Sequence, residues 1–272
     1  MLKKTLHYIA TVVVCTIFTI VLFTSKEKKE EYAPRDYEAI VESGTLRAVT
    51  AYNAVSLHIN EDTLSGFDYE LLNTFAKDKG LELEITPEAS FEKRLEGIAE
   101  GKYDVMAATT AVTSHLRDSF NFTHTILLSK QILVQRKREK GNDSLFIKNQ
   151  LDLAHKTIHV VKESPALLRI HHLINEIADT IYTKEISRYG SEQLLAMVSA
   201  GDIDYAVCDE NIARASIADY PNLDIHTDIS FTQFYSWGLN KQSPNLLDTL
   251  NCWLDDYLKT KSYKKLYKKY FR

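Results

Sequence analysis

From residue 43 onward, apolar positions recur with two periods that alternate along the chain. "TLRAVTAY" at 45–52 reads as a strand, and "NEDTLSGFD" at 60–68 as a loop. "DYELLNTFAKDKG" then places Leu71, Leu72, Phe75 and Ala76 at helical spacing, with Gly80 at its end. After the strand "LELEIT", a helix opens with Ser90 as N-cap, carries Leu95, Ile98 and Ala99 on one face, stops at Gly101 and leads into the strand "YDVMAAT". The order repeats in the second half: strand "HKTIHVVKE", helix "PALLRIHHLINEIA", strand "TIYTKEI", then a helix closed by Gly201 and the strand "YAVCD". The phrases "EGKYDVMAAT" (100–109) and "AGDIDYAVCD" (200–209) are thus one device written twice, a helix stop, Gly-x-x-Asp and a buried strand. Between the halves lies the β-rich stretch "FNFTHTILLSKQILVQ" and a charged turn at 136–143. The tail from 243 is helical, with the stripe Leu246, Leu247, Leu250, Trp253, Leu254 and Tyr257.

Alternating strands and helices predict an α/β chain with two mainly parallel sheets flanked by helices. The N-terminus has a different character. Thr5 to Ser25 contains no charged residue, and as a helix its apolar centre would rise about 30 Å, the thickness of a hydrocarbon core. Residues 5–25 therefore read as a transmembrane anchor, with Lys3 and Lys4 on the cytoplasmic side and the folded body in the periplasm, and residues 26–42 as a polar spacer. A cleaved signal segment and a lipidated Cys15 are the alternatives.

The 272 residues, 44% apolar and 26% charged, suffice for two modest lobes. A net charge of −4 excludes the basic footprint of a nucleic-acid binder. Cys208 reads as a small apolar residue in a buried strand rather than as a bridge partner of Cys252. His171 and His172 are adjacent and face different ways, and His155 and His159 lie on a strand, so no metal is expected; nor is any cofactor, because no phosphate-binding glycine motif occurs. The basic, tyrosine-rich end "KTKSYKKLYKKYFR" reads as the solvated face of the last helix.

Four stretches in order, "GTLRAVT", "SGFDYELLNTFAKDKGLELEI", "GKYDVMAATTAVTSHLRDSFNFT" and "GSEQLLAMVSAGDIDYAVCDENIA", with the closing "YKKYF", resemble the family 3 solute-binding proteins, bilobal periplasmic receptors of amino-acid transporters. They are more similar still to the binding domain that precedes the catalytic domain of membrane-bound lytic transglycosylase F. The resemblance implies a type II periplasmic-binding-protein fold. Lobe 1 would comprise 43–125 plus 231–272 and lobe 2 126–230, with hinges near 125–130 and 230–235.

It also implies a ligand cleft at the carboxyl ends of the strands. Asp209 falls where the family's aspartate takes an ammonium group, with the N-cap of "ENIARAS" as its competing role. Ser164 falls in the lobe 2 loop, and Tyr52 and Asn53 follow the first strand. Thr109, Thr110 and Thr113 offer hydroxyls. The family's carboxylate-gripping arginine position is occupied by Leu116, which leaves Arg117, one residue later, as the candidate ligand contact in that segment. The resemblance makes the chain a membrane-tethered binding protein for an amino acid, short peptide or peptidoglycan fragment. An accessory role toward a transporter or cell-wall protein is the alternative, and a murein-cleaving enzyme the third reading. No enzyme activity is expected, because the lysozyme-like catalytic domain does not follow before Arg272, and "Glu163-Ser164" lies in a strand-to-helix loop.

Overall fold

A computed structural model describes residues 32–138 and 145–271. The expected anchor at 5–25 and Cys15 lie outside these residues; among the described residues no helix is long and apolar enough to cross a membrane.

Two sheets form the body. The first has the order β4-β1-β5-β13-β6, with β7 also paired to β13: β1 (Thr45–Thr50), β4 (Glu82–Pro87), β5 (Val105–Ala111), β6 (Phe120–Phe122), β7 (Leu127–Ser129) and β13 (Gln233–Asn240). The second has the order β10-β9-β11-β8-β12: β8 (Gln131–Arg136), β9 (Thr157–Val161), β10 (Tyr182–Ile186), β11 (Tyr205–Asp209) and β12 (Leu223–Asp228). The chain crosses from the first sheet to the second between β7 and β8, and returns between β12 and β13. Both sheets are mixed, which corrects the expectation of mainly parallel sheets. β1 pairs in parallel with β4 and β5, and β9 with β10 and β11, but β13 and β8 run antiparallel to their neighbours. The reason is the double crossing. A strand entering from the other lobe does not follow a βαβ crossover, which is what enforces parallel pairing. The loop at 60–68 also contains part of a small hairpin, β2 (His58–Asn60) with β3 (Thr63–Ser65).

Helix α1 (Tyr37–Ser43) corrects the spacer boundary. Ile40 is fully buried in the core of the first lobe, and Asp36 accepts from Tyr37 N and from Leu246 N at 2.8 Å, so one carboxylate serves two helix starts. Helix α2 (Phe67–Asp78) buries Leu71, Leu72, Phe75 and Ala76 as its periodicity predicts. The tail is two helices, α8 (Pro244–Tyr257) and α9 (Lys261–Tyr270), because the Thr260 side chain caps a new start by accepting from Tyr263 N. The remaining helices are α3 (Phe91–Ala99), α4 (Ser114–Ser119), α5 (Pro165–Ile177), α6 (Ser191–Ala200) and α7 (Glu210–Ser216).

The repeated Gly-x-x-Asp has one physical job in both lobes. After α3, Gly101 adopts φ 76°, and Asp104 accepts from Arg47, whose Nη2 also donates to Gly101 O at 2.9 Å. After α6, Gly201 takes φ 86°, and Asp204 pairs with Arg136, whose Nη1 donates to Val198 O at 3.0 Å and Ile203 O at 2.9 Å. In each lobe an arginine from an adjacent strand satisfies the orphan carbonyls of a helix end and the aspartate that follows. This fixes where β5 and β11 leave their helices. Both strands then run toward the space between the lobes.

Candidate functional site

That space is a narrow cleft with a cavity volume of about 50 Å3. From the first lobe, the chain beyond β1 supplies Tyr52 and Asn53, β5 supplies Ala108, Thr109 and Thr110, and α3 supplies Phe91 and Arg94. From the second, β9 ends at Val161, α5 begins at Ser164 and Pro165, α6 begins at Gly190 to Gln193, and β11 ends at Asp209. All of these second-lobe positions lie at carboxyl ends of strands or amino ends of helices, where a doubly wound sheet leaves its binding crevice.

The structure therefore gathers six of the eight residues singled out from the sequence along one cleft: Tyr52, Asn53, Thr109, Thr110, Ser164 and Asp209. Tyr52 is half exposed at 47% and forms a wall, whereas Asn53 is buried and turns its Oδ1 to the N–H groups of Val55 and Ser56. Ser164 Oγ donates to Val161 O at 2.6 Å. Thr113 and Arg117 do not line the cleft. Thr113 caps α4, accepting from Leu116 N at 3.2 Å, and the next turns carry Leu116 inward and Arg117 out to solvent. One residue along a helix rotates a side chain by about 100°, which is the physical reason for the exchange.

Asp209 begins α7, yet its side chain makes no capping bond. Instead Oδ1 accepts from Tyr235 Oη and from Gln131 Nε2 at 2.6 Å, and the same Gln131 amide reaches Tyr235 Oη at 2.9 Å. Tyr235 belongs to the first sheet while Gln131 and Asp209 belong to the second, so this triad ties the lobes where the chain crosses. Burial raises the Asp209 carboxyl above its ordinary value, opposed by the two donors and by Arg94. Burial and the adjacent carboxylate push the Tyr235 hydroxyl up, so it remains a donor.

Behind Thr109 lies Asp68, fully buried, with Oδ1 accepting from Trp237 Nε1 at 2.8 Å and Oδ2 from Thr109 N at 3.1 Å. Desolvation raises its carboxyl to about 6 despite these donors. The lobes are also joined at the rim. Lys162 Nζ meets Glu92 at 2.7 Å, and Glu192 Oε2 accepts from Ala54 N at 3.2 Å while its Oε1 accepts from Ser216. Val49, Phe91 and Ala108 of the first lobe share one apolar cluster with Val161 and Leu194 of the second. The lobes stand closed on each other.

The sequence reading missed Arg94, Gln131, Glu192 and Tyr235. A signal for Arg94 existed: α3 buries Phe91, Arg94, Gly97 and Ile98, whereas Ala99, expected inside, is exposed. A cation at i+3 from Phe91 on a buried face calls for a polar partner. Glu192 carries no comparable mark. Cys208 is buried and Cys252 exposed, and both are free thiols. Among the described residues no group of three or more His, Cys, Asp or Glu side chains forms a metal cage.

The family model for bacterial extracellular solute-binding proteins, family 3, matches residues 46–272. The chain belongs to this family. Among curated relatives of this solute-binding protein, the membrane-bound lytic murein transglycosylase F of Photobacterium profundum is 28% identical over 219 residues, covering 79% of the chain and 41% of the relative. Its counterpart in Alteromonas mediterranea is 29% identical over 233 residues, covering 84% and 48%. The chain thus spans about half the length of the curated relatives it matches. Among solved structures, an ancestral arginine-binding protein bound to arginine aligns with a TM-score of 0.72 at 26% identity, over 84% of this chain and 99% of that one. A mutant of the Thermotoga maritima (T. maritima) arginine-binding protein aligns at 0.73 and 23%, over 86% and 98%, a likeness of fold. The two-lobed α/β architecture of the family 3 binding proteins, a binding rather than a catalytic fold, is therefore that of this chain.

Proposed function

We propose that the protein is a membrane-tethered, extracytoplasmic receptor that seats a small ligand, an amino acid, short peptide or peptidoglycan fragment, between its lobes and responds by closing. The observation that carries this reading is the cleft itself, where hydroxyls of the first lobe face Ser164 and the half-buried carboxylate of Asp209 in the second. Both hydrogen bonds to Asp209 end on Oδ1, so its second oxygen is available to a ligand ammonium group. Contacts made to both lobes at once favour the closed state by their differential affinity. Arginine and glutamine in the solved relatives' names make amino acids the first probes. Isothermal titration of the protein and of Asp209→Ala with amino acids and muropeptides tests the reading. Saturable 1:1 binding, weakened at least tenfold in the variant, supports it; silence across the panel refutes it.

The accessory reading draws on one observation. Leu128 and Phe234, register partners on β7 and β13, are 54% and 63% exposed, and Phe231, three residues before Phe234 in the chain, is 90% exposed. An apolar patch at a crossing between lobes is a plausible protein contact. Co-purification of an envelope protein from solubilised membranes, lost in Phe231→Ser/Phe234→Ser, distinguishes this reading.

A further inference from the structure

The end of the chain concentrates charge of one sign. Residues 259–272 hold six lysines, one arginine and no acidic residue, so within a net charge of −4 all the other residues together carry −11. Helix α9 divides this segment into two faces. Tyr263, Leu266, Tyr267 and Tyr270, at i, i+3, i+4 and i+7, turn inward: Leu266 is buried, and the three tyrosine rings meet Phe67 edge-on with centres 6.3, 6.5 and 6.4 Å away. Tyr263 Oη donates to Ile126 O at 2.7 Å and Tyr270 Oη accepts from Gly66 N at 2.8 Å, which fixes the helix against the first lobe. Lys261, Lys264, Lys265 and Lys268 recur at the same spacing on the outer face, and all four are exposed.

Helix stability does not account for this stripe. Lys261 and Lys264 lie at the amino end of α9, where the helix dipole disfavours a cation, and Lys261/Lys265 and Lys264/Lys268 are like charges at i, i+4, which repel. Among the described residues none of the four is ion-paired, whereas the adjacent Lys269 meets Glu70 at 2.6 Å. Lys265, Lys268 and Lys269 border an open groove of about 620 Å3 between α2 and α9. Two features select the kind of partner. No large apolar side chain is exposed on α9, while a specific protein interface has an apolar core in which lysine is depleted. Lysine is also a compact point charge, without the planar fork by which arginine grips one phosphate or carboxylate in fixed geometry. Such a face suits a surface of many anionic groups recognised by charge alone.

We propose that the outer face of α9 docks on an anionic phospholipid surface through Lys261, Lys264, Lys265 and Lys268. The apolar side of the helix is committed to Phe67, so α9 lies on the headgroups without inserting, and the contact weakens with salt. The inference goes beyond the receptor reading. It gives the first lobe a second binding surface, away from the cleft, and it stands whether or not residues 5–25 form an anchor.

The test mixes the full chain with vesicles of phosphatidylcholine, or of equimolar phosphatidylcholine and phosphatidylglycerol, recovers the bound protein by flotation, and follows acetylation of each lysine by mass spectrometry. The four lysines should react about five- to tenfold more slowly on the anionic vesicles than on the neutral ones. Lys148 and Lys184, exposed on the second lobe, should change less than about twofold, and high salt should remove the difference. Lys264→Gln/Lys268→Gln, which removes two exposed charges, should lose most of the protection at Lys261 and Lys265. Equal rates on the two kinds of vesicle, protection spread evenly over both lobes, or protection of the four lysines only by an added acidic protein overturns the docking. A chain that floats with both kinds of vesicle at equal rates overturns the docking alone; one that floats with neither overturns the docking and the anchor reading together; one that floats only with the anionic kind, with the four lysines protected, supports the docking and counts against the anchor.

Discussion

Replacing Asp68 by asparagine should remove a pH dependence that the fold builds into its own stability. The side chain is wholly buried beneath Thr109, and its carboxyl is raised from 3.8 to about 6, chiefly by desolvation, with Trp237 and Thr109 opposing. A group whose folded value lies above its unfolded one contributes stability that is fully present below the unfolded value and is lost as pH rises through the folded one. Over a window from about pH 4 to pH 6, that difference corresponds to about 3 kcal/mol. The assay is urea unfolding of the wild type and Asp68→Asn at intervals from pH 4 to pH 7.5. The stability difference between the two proteins should change by roughly this amount across the window, the wild type losing relative to the variant as pH rises, and then level off. Other titrating groups, including the raised carboxyl of Asp209, are common to both proteins and cancel in the difference. Two stability curves that run parallel through pH 4–7.5 would refute the reasoning, since they would mean that Asp68 does not change protonation between the folded and unfolded chain.

Further outcomes follow from the same geometry. Arg117→Ala should leave ligand affinity within about twofold in calorimetry, because the side chain faces solvent outside the cleft. Lys162→Met removes the rim pair to Glu92, which is partly exposed, and should weaken affinity by less than about fivefold, with the difference shrinking in 1 M salt. Gly66→Ala should destabilise the fold by at least about 2 kcal/mol in urea titration, because Gly66 has φ 142° and an added Cβ would lie 2.3 Å from Ser56 O.

Much of this site could be read in the chain because its residues sit at element ends. The helix stops at Gly101 and Gly201 and the strands after them are local signals, and they place Thr109, Thr110 and Asp209 without knowledge of tertiary contacts. What escaped was set by non-local pairing. Tyr235 and Gln131 matter only because strands a hundred residues apart in sequence exchange lobes and bring a phenol and an amide to one carboxylate. The antiparallel half of each sheet has the same origin. Arg94 stood in view but was passed over in favour of Leu95 and Ala99, because an apolar pattern gives no weight to a cation that packs over Phe91.

The central claim is that ligand in this cleft holds the lobes together. Paired spin labels at Glu96→Cys on α3 and Lys184→Cys on β10, both exposed, would report the distance between the lobes. The background needs Cys15 and the exposed Cys252 replaced by serine, while Cys208 is buried and can remain. Addition of an amino acid that binds in calorimetry should shorten and narrow the distance distribution, and Asp209→Ala should abolish that change at the same ligand concentration. A distribution that stays the same at saturating ligand would contradict recognition by closure.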